Sequence, residues 1–158
     1  MRTFPTLCFA LLACSCAPDP APFKLAQPSL EPFAAQAYPV LLRDCGFPGC
    51  HGAMDRFFRV FGPGRTRLSA AAEPSDPASP EEIQHSYDRA RSMIDPSQPA
   101  YSLLLRKPLA ASAGGAGHKG DDALGRNVYL SNADPNFQAL RAWVLGQAVA
   151  ADAGGITP

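Results

Sequence analysis

Residues 45–51 read CGFPGCH, two cysteines with four residues between them and a histidine directly after the second. This heptapeptide constrains the fold more than any other stretch. A disulfide, a metal site and an attachment site for a flat cofactor each require a different core around it. The choice matters because the chain has little else with which to fill an interior. It carries 17 prolines and 13 glycines but nine phenylalanines among its 158 residues. A small domain of that composition is thin for a self-sufficient core, which favours a cofactor as part of the interior.

The start of the chain, MRTFPTLCFALLACSC, has the layout of a secretory signal peptide: one positive charge at Arg2, a short apolar run from Leu7 to Leu12, then small residues. That run is much shorter than the roughly 20 apolar residues needed to cross a bilayer. Leu11-Leu12-Ala13-Cys14 resembles the lipobox of bacterial lipoproteins, in which the cysteine is lipidated and becomes the new N-terminus. The expectation is therefore a leader over 1–13, lipidation at Cys14, and an exported protein held on a membrane surface, periplasmic side or cell surface, by a lipid anchor. An ordinary signal peptide that happens to contain cysteines is the alternative. Cys16 has no assigned role.

Removing residues 1–13 takes one of the 14 basic side chains, Arg2, and none of the 14 acidic ones. The remainder is almost neutral and has no basic run, so nothing points to nucleic acid. Four cysteines stay with it, in a compartment that is oxidising.

Residues 14–32 read as a Pro/Ala-rich tether, with the domain proper starting near Pro32 and extending over 33–147. Phe33, Ala37, Val40 and Leu41 fall near one face of a helix that leads into Cys45, with Pro39 inside the pattern as its start or its kink. The aromatic stretch with Phe57, Phe58 and Phe61, ending at Gly62-Pro63-Gly64, reads as a short strand and turn or as an irregular loop. Ser79-Pro80-Glu81-Glu82 predicts a helix start, followed by Ile83, Tyr87, Ala90 and Ile94 on one side and an end near Asp95-Pro96. A short helix is expected at AYSLLLRK after Pro99, and a Gly-rich loop over 109–126 holding His118. Asp134 and Pro135 open a last helix with Phe137, Leu140, Trp143 and Val144 on its apolar face. Residues 148–158 read as a disordered tail.

Haem c is held by thioether bonds from two cysteines to the two porphyrin vinyl groups, and the next residue, a histidine, ligates the iron. The usual spacing has two residues between the cysteines, whereas here Gly46, Phe47, Pro48 and Gly49 intervene. Two glycines and a proline suit the tight detour that the extra residues would need. A Cys45–Cys50 disulfide explains the cysteines but not the adjoining His51. A zinc site would draw on Cys45, Cys50, His118 and one of His51 or His85, at a spacing unlike common zinc modules. The heptapeptide alone leaves these readings open.

The wider text resembles a family. YPVLLRDCGFPGCHG (38–52) is similar to the P-x-L-x-x-x-C-x-x-C-H-G run of bacterial, planctomycete-type cytochrome c-like domains. DPSQPAYSLLLRKPL (95–109) resembles their P-x-x-S-L-L-x-x-K segment, GHKG (117–120) their H-G-G-G loop, and DPNFQALRAWVLGQ (134–147) their terminal D-x-x-Y-x-x-L-x-x-W-I-x-x-G helix. The resemblance covers roughly 33–147 and departs from the family in the longer cysteine spacing and in the loop GHKGDD. It implies a mainly α, cytochrome c-like small helical domain with long Gly/Pro-rich loops, its first and last helices packed beside one haem c. It implies thioethers at Cys45 and Cys50, a proximal iron ligand at His51, and a distal ligand at His118, with Met93 the second candidate and Met54 too close to His51 in sequence.

Phe57, Phe58, Phe61, Phe137 and Trp143 then read as haem wall or core, and Arg65 and Arg67 as candidates to pair with haem propionates or as solvated loop residues. The implied function is electron transfer with redox partner proteins. No acid–base pair, nucleophile constellation or phosphate loop is visible, so no catalytic residue, small-molecule substrate or enzymatic activity is inferred. The alternative is a haem-less surface lipoprotein in which a Cys45–Cys50 disulfide braces a binding or structural module.

Overall fold

The computed structural model describes residues 27–118 and 128–147. The leader, Cys14, Cys16, most of the tether, part of the Gly-rich loop and the tail at 148–158 lie outside the described residues. Among the described residues the secondary structure is helical, with no strand beyond an isolated bridge between Leu109 and Tyr129. The mainly α class expected from the sequence holds. No helix among them is long and apolar enough to cross a membrane.

The first helical run has three parts: α1 (Leu30–Pro32), a π-helical turn (Phe33–Ala37) and α2 (Tyr38–Asp44). Pro39 has no N–H to donate and its ring crowds the carbonyl four residues back. The wider π turn sits immediately before it, so the run continues where an α-helix would break. Phe33 and Ala37, on that turn, are both buried.

Residues just before Pro32 also make contacts with the helices. Pro28 is buried, and its carbonyl accepts a hydrogen bond from the Tyr87 hydroxyl at 2.9 Å. The Ser29 carbonyl accepts from the Trp143 indole N–H at 3.1 Å.

Helix α3 (Pro80–Arg91) opens at the Ser79 cap read from the sequence, and the structure adds a reciprocal capping box: the Ser79 hydroxyl accepts from the Glu82 N–H, and the Glu82 carboxylate accepts from the Ser79 N–H. It ends at Arg91, short of Asp95, in a turn closed by Met93 N–H to Ala90 O. A 3-10 turn (Pro99–Tyr101) and the short α4 (Leu103–Arg106) follow. Helix α5 (Pro135–Val144) is capped by the Asp134 carboxylate, which accepts from the N–H groups of Asn136 and Phe137. Gly146 takes the left-handed conformation (φ 64°) just past its end.

The two long segments pack through aromatics. Phe33 meets Trp143 of α5 (ring centres 4.9 Å apart) and Tyr87 of α3 (5.5 Å, edge-to-face). Leu41, Leu105 and Leu140 complete this cluster, which ties the first run to α4 and α5.

Between Gly52 and Ser79 the chain is irregular; neither a strand nor a helix forms. Long-range polar contacts set its course. Glu82 is buried and receives Arg67 through two 2.9 Å contacts, as well as the Leu68 N–H at 3.0 Å. Arg67 also donates to the carbonyls of Glu73, Asp76 and Pro77. This one side chain gathers a loop that has no ladder of its own.

Candidate functional site

Helix α2 delivers Cys45 at its C-cap, buried against the main core cluster. The enlarged loop then closes on its own backbone. The Cys45 carbonyl accepts from the His51 N–H at 3.0 Å, and the Phe47 carbonyl accepts from both Cys50 (2.8 Å) and Gly52 (2.9 Å). Gly52 has to be glycine at this closure, because a Cβ there would lie 2.5 Å from the Gly46 carbonyl oxygen. Gly49 faces open space and tolerates a side chain. The extra residues thus form a compact turn that brings Cys50 and His51 back beside Cys45. Neither Cys45 nor Cys50 is in a disulfide.

His51 is aimed by its neighbour Phe58. Its Nδ1 lies 2.9 Å from the Phe58 carbonyl oxygen, and the Phe58 ring packs 4.6 Å from the imidazole. A carbonyl only accepts, so Nδ1 carries the proton and Nε2 keeps its lone pair. Burial lowers the His51 pKa from its ordinary value, outweighing the opposing effect of the Phe58 carbonyl, with His118 and Arg56 adding to the lowering. The ring is held neutral and single-tautomer, which is the form that ligates a metal.

His51 borders a cavity of about 800 Å³, within the span of about 300–1,000 Å³ usual for ligand and cofactor sites. Cys45, Cys50, Phe58, Met93 and His118 line it too. Leu41, Leu104 and Leu140 supply apolar wall from α2, α4 and α5, so three elements frame one space. The imidazoles of His51 and His118 stand 5.7 Å apart, centre to centre, at 71°. Two imidazoles that share one metal ion through bonds of about 2 Å hold their centres about 6 Å apart. The observed separation is comparable to that spacing. Loop residue His118 and helix-flanking Met93 therefore both reach the cavity, and His118 faces His51.

The donor set, the uncommitted sulfurs and the apolar volume fit a haem. Cys45, Cys50, His51 and His118 are the residues that would hold it. Among the described residues, no group of three or more His, Cys, Asp or Glu side chains forms a metal-ligand cluster. The four-ligand zinc arrangement considered from the sequence is not assembled.

Other residues singled out lie elsewhere. Met54 and Phe57 are largely exposed, and His85 is an exposed α3 residue beside Phe61. Phe61, Phe137 and Trp143 are buried core. Neither arginine considered for propionates lines the cavity: Arg67 is bound by Glu82, and Arg65 donates to the Leu42 carbonyl and lies over the Phe47 ring.

Asp44 and Tyr129 line the cavity without having been singled out. The buried Tyr129 hydroxyl donates to Asp44 at 2.9 Å, and Arg43 pairs with the same carboxylate. Burial, with the negative charge available to Cys45 and Asp44 nearby, pushes the Tyr129 phenol well above its ordinary value, so it stays a neutral donor. The Cys45 thiol is likewise pushed up to about 12 by burial, then by Asp44 and Cys50. Tyr129 follows a Gly-rich stretch with no hydrophobic period, so its lone bulky aromatic ring was the only cue to its place.

No family model, curated protein or solved structure matches the chain.

Proposed function

We propose that this chain is an exported, lipid-anchored, mono-haem c-type cytochrome-like protein that carries electrons between redox proteins. One observation carries the reading. An imidazole with its Nδ1 committed to a backbone carbonyl faces a second imidazole at 5.7 Å, in a cavity that two free cysteines also line. A haem held there would supply one-electron redox chemistry, with no substrate bond made or broken.

The protein's part is ligation, burial and exclusion of water. Phe58 fixes the His51 tautomer through its carbonyl and the ring's orientation through packing. Leu41, Leu104 and Leu140 keep the surroundings apolar. A His51/His118 pair gives a lower reduction potential than a His51/Met93 pair. Exposed Leu103, Val128 and Leu130 rim the cavity, an apolar edge suited to transient contact with a redox partner.

The test is the ligand field of the matured protein and of two variants. The account expects a low-spin oxidised spectrum in the wild type, its loss in His118→Ala, and its retention in Met93→Leu. Retention in His118→Ala with loss in Met93→Leu would reverse the axial assignment. A wild type that binds no haem would remove the proposal.

A further inference from the structure

The enlarged cysteine loop is gripped from outside by a single turn. Residues 62–66 fold tightly, with Gly62 N–H donating to the Thr66 carbonyl, Arg65 N–H to the Gly62 carbonyl, and Gly64 in the left-handed region at φ 64°. From this turn Arg65 reaches the end of α2. Its Nε donates to the Leu42 carbonyl at 3.0 Å and a terminal nitrogen to the Arg43 carbonyl at 3.3 Å. Its guanidinium carbon sits 4.0 Å from the centre of the Phe47 ring. Its stem lies against Gly46, where a Cβ would come within 3.3 Å of Arg65 Cγ. The next residue takes the other end of the loop, the Thr66 hydroxyl donating to the Gly52 carbonyl.

We infer that Arg65 is the positioning residue of the CGFPGCH loop: it locks the extra residues onto the end of α2, so that Cys45 and Cys50 present their sulfurs at a fixed separation. The inference rests on the covalent-haem reading for its consequence, and on geometry alone for the lock itself. The lock is needed because four intervening residues leave the second cysteine more conformations than two do, and closing the loop costs entropy that must be offset. A planar cation that stacks on Phe47 while its edge donates to two carbonyls meets that need in one side chain. Lysine has neither the flat face nor the fork. Attachment itself is an addition: each S–H adds across a vinyl double bond, sulfur to the inner carbon and hydrogen to the terminal one, so nothing is lost and no oxidant is required. Both additions succeed only if both sulfurs lie within reach of their vinyls at once.

The experiment uses the full chain as wild type, Arg65→Ala and Arg65→Lys, with two readouts. The first is amide hydrogen exchange of protein made without haem. The N–H groups of Cys50, His51 and Gly52 should lose about tenfold or more of their protection in both variants, while those of α3 keep theirs. The second is thiol alkylation of matured, denatured protein. The share of haem-bearing chains with one free thiol among Cys45 and Cys50 should rise several-fold in both variants. Loop protection unchanged in Arg65→Lys overturns the lock, whether or not haem is bound. Lost protection with two thioethers formed as in the wild type overturns the positioning role. A wild type without haem defeats the cytochrome reading and the attachment consequence with it, while the exchange readout still decides the lock.

Discussion

Replacing Phe33 by alanine tests the packing that holds the first helical run against the rest of the domain. Phe33 is wholly buried, and its ring meets those of Trp143, Tyr87 and Tyr38 at centre distances of 4.9, 5.5 and 5.9 Å. Removing a buried phenylalanine side chain costs about 3–5 kcal/mol, more where the surroundings cannot collapse into the space. Here the surroundings are three large rings from three elements, each tied to a backbone carbonyl, through Tyr38 Oη, Tyr87 Oη and Trp143 Nε1. We expect the upper half of the range, about 4–5 kcal/mol. Phe33→Leu keeps most of the volume and loses the ring contacts, for about 1–2 kcal/mol. The assay is urea unfolding followed by tryptophan fluorescence. With a slope of about 1.5 kcal/mol/M the midpoint falls by about 3 M in the alanine variant and by about 1 M in the leucine variant. Phe33 does not line the cavity, so the axial ligand spectrum of the matured variant should be unchanged under folding conditions. Equal losses in the two variants, or a loss below about 1.5 kcal/mol for alanine, would refute the reasoning.

Further expectations concern Glu82, the cysteines and the glycines of the loop. Burial pushes the Glu82 carboxyl up, but Arg67 and the N–H groups of Leu68 and Ser79 outweigh it, so its folded pKa lies below 4.5. Its contribution is full above that value and is lost as pH falls through the lower folded one. The stability gap between wild type and Glu82→Gln, measured by urea unfolding across pH, should therefore narrow on the acid side; a gap that widens there contradicts the assignment. In reduced, haem-free protein Cys45 should react with iodoacetamide about tenfold or more slowly than Cys50, because its thiol is buried and pushed up to about 12. Peptide mass mapping reads the two rates, and equal rates would argue against the buried placement. Gly52→Ala should impair haem attachment while Gly49→Ala leaves it intact, since only the former drives a Cβ into backbone; the covalently bound fraction on a denaturing gel decides between them.

The parts legible in the sequence are those with local causes. Ser79 and Asp134 cap α3 and α5 as read, because a cap is a contact within a few residues. Cys45, Cys50 and His51 were legible as a unit because they share one short stretch, 45–51. The π turn before Pro39 and the burial of Pro28 were not legible. The first is one of two ways a helix can meet a proline, and the second depends on Tyr87 and Trp143 far along the chain. The irregular segment after His51 was open for the same reason: its path is set by Arg65 and Arg67, whose partners lie on α2, in the cysteine loop and on α3. Glu82 read as an ordinary first-turn acid, and nothing local announces that it also receives Arg67. At the site, His118 and Met93 were candidates by type, but the Tyr129–Asp44 contact joins residues 85 apart in sequence and has no periodic signature.

The central claim is that Cys45, Cys50 and His51 together hold a haem. The most direct measurement is mass spectrometry of the tryptic peptide spanning residues 44–56, from protein purified out of a host that matures c-type cytochromes and then extracted with acid acetone. The account predicts a red peptide carrying one haem, with both thiols consumed in bonds to it. A colourless peptide of unmodified sequence, two hydrogens lighter through a Cys45–Cys50 disulfide, would contradict it.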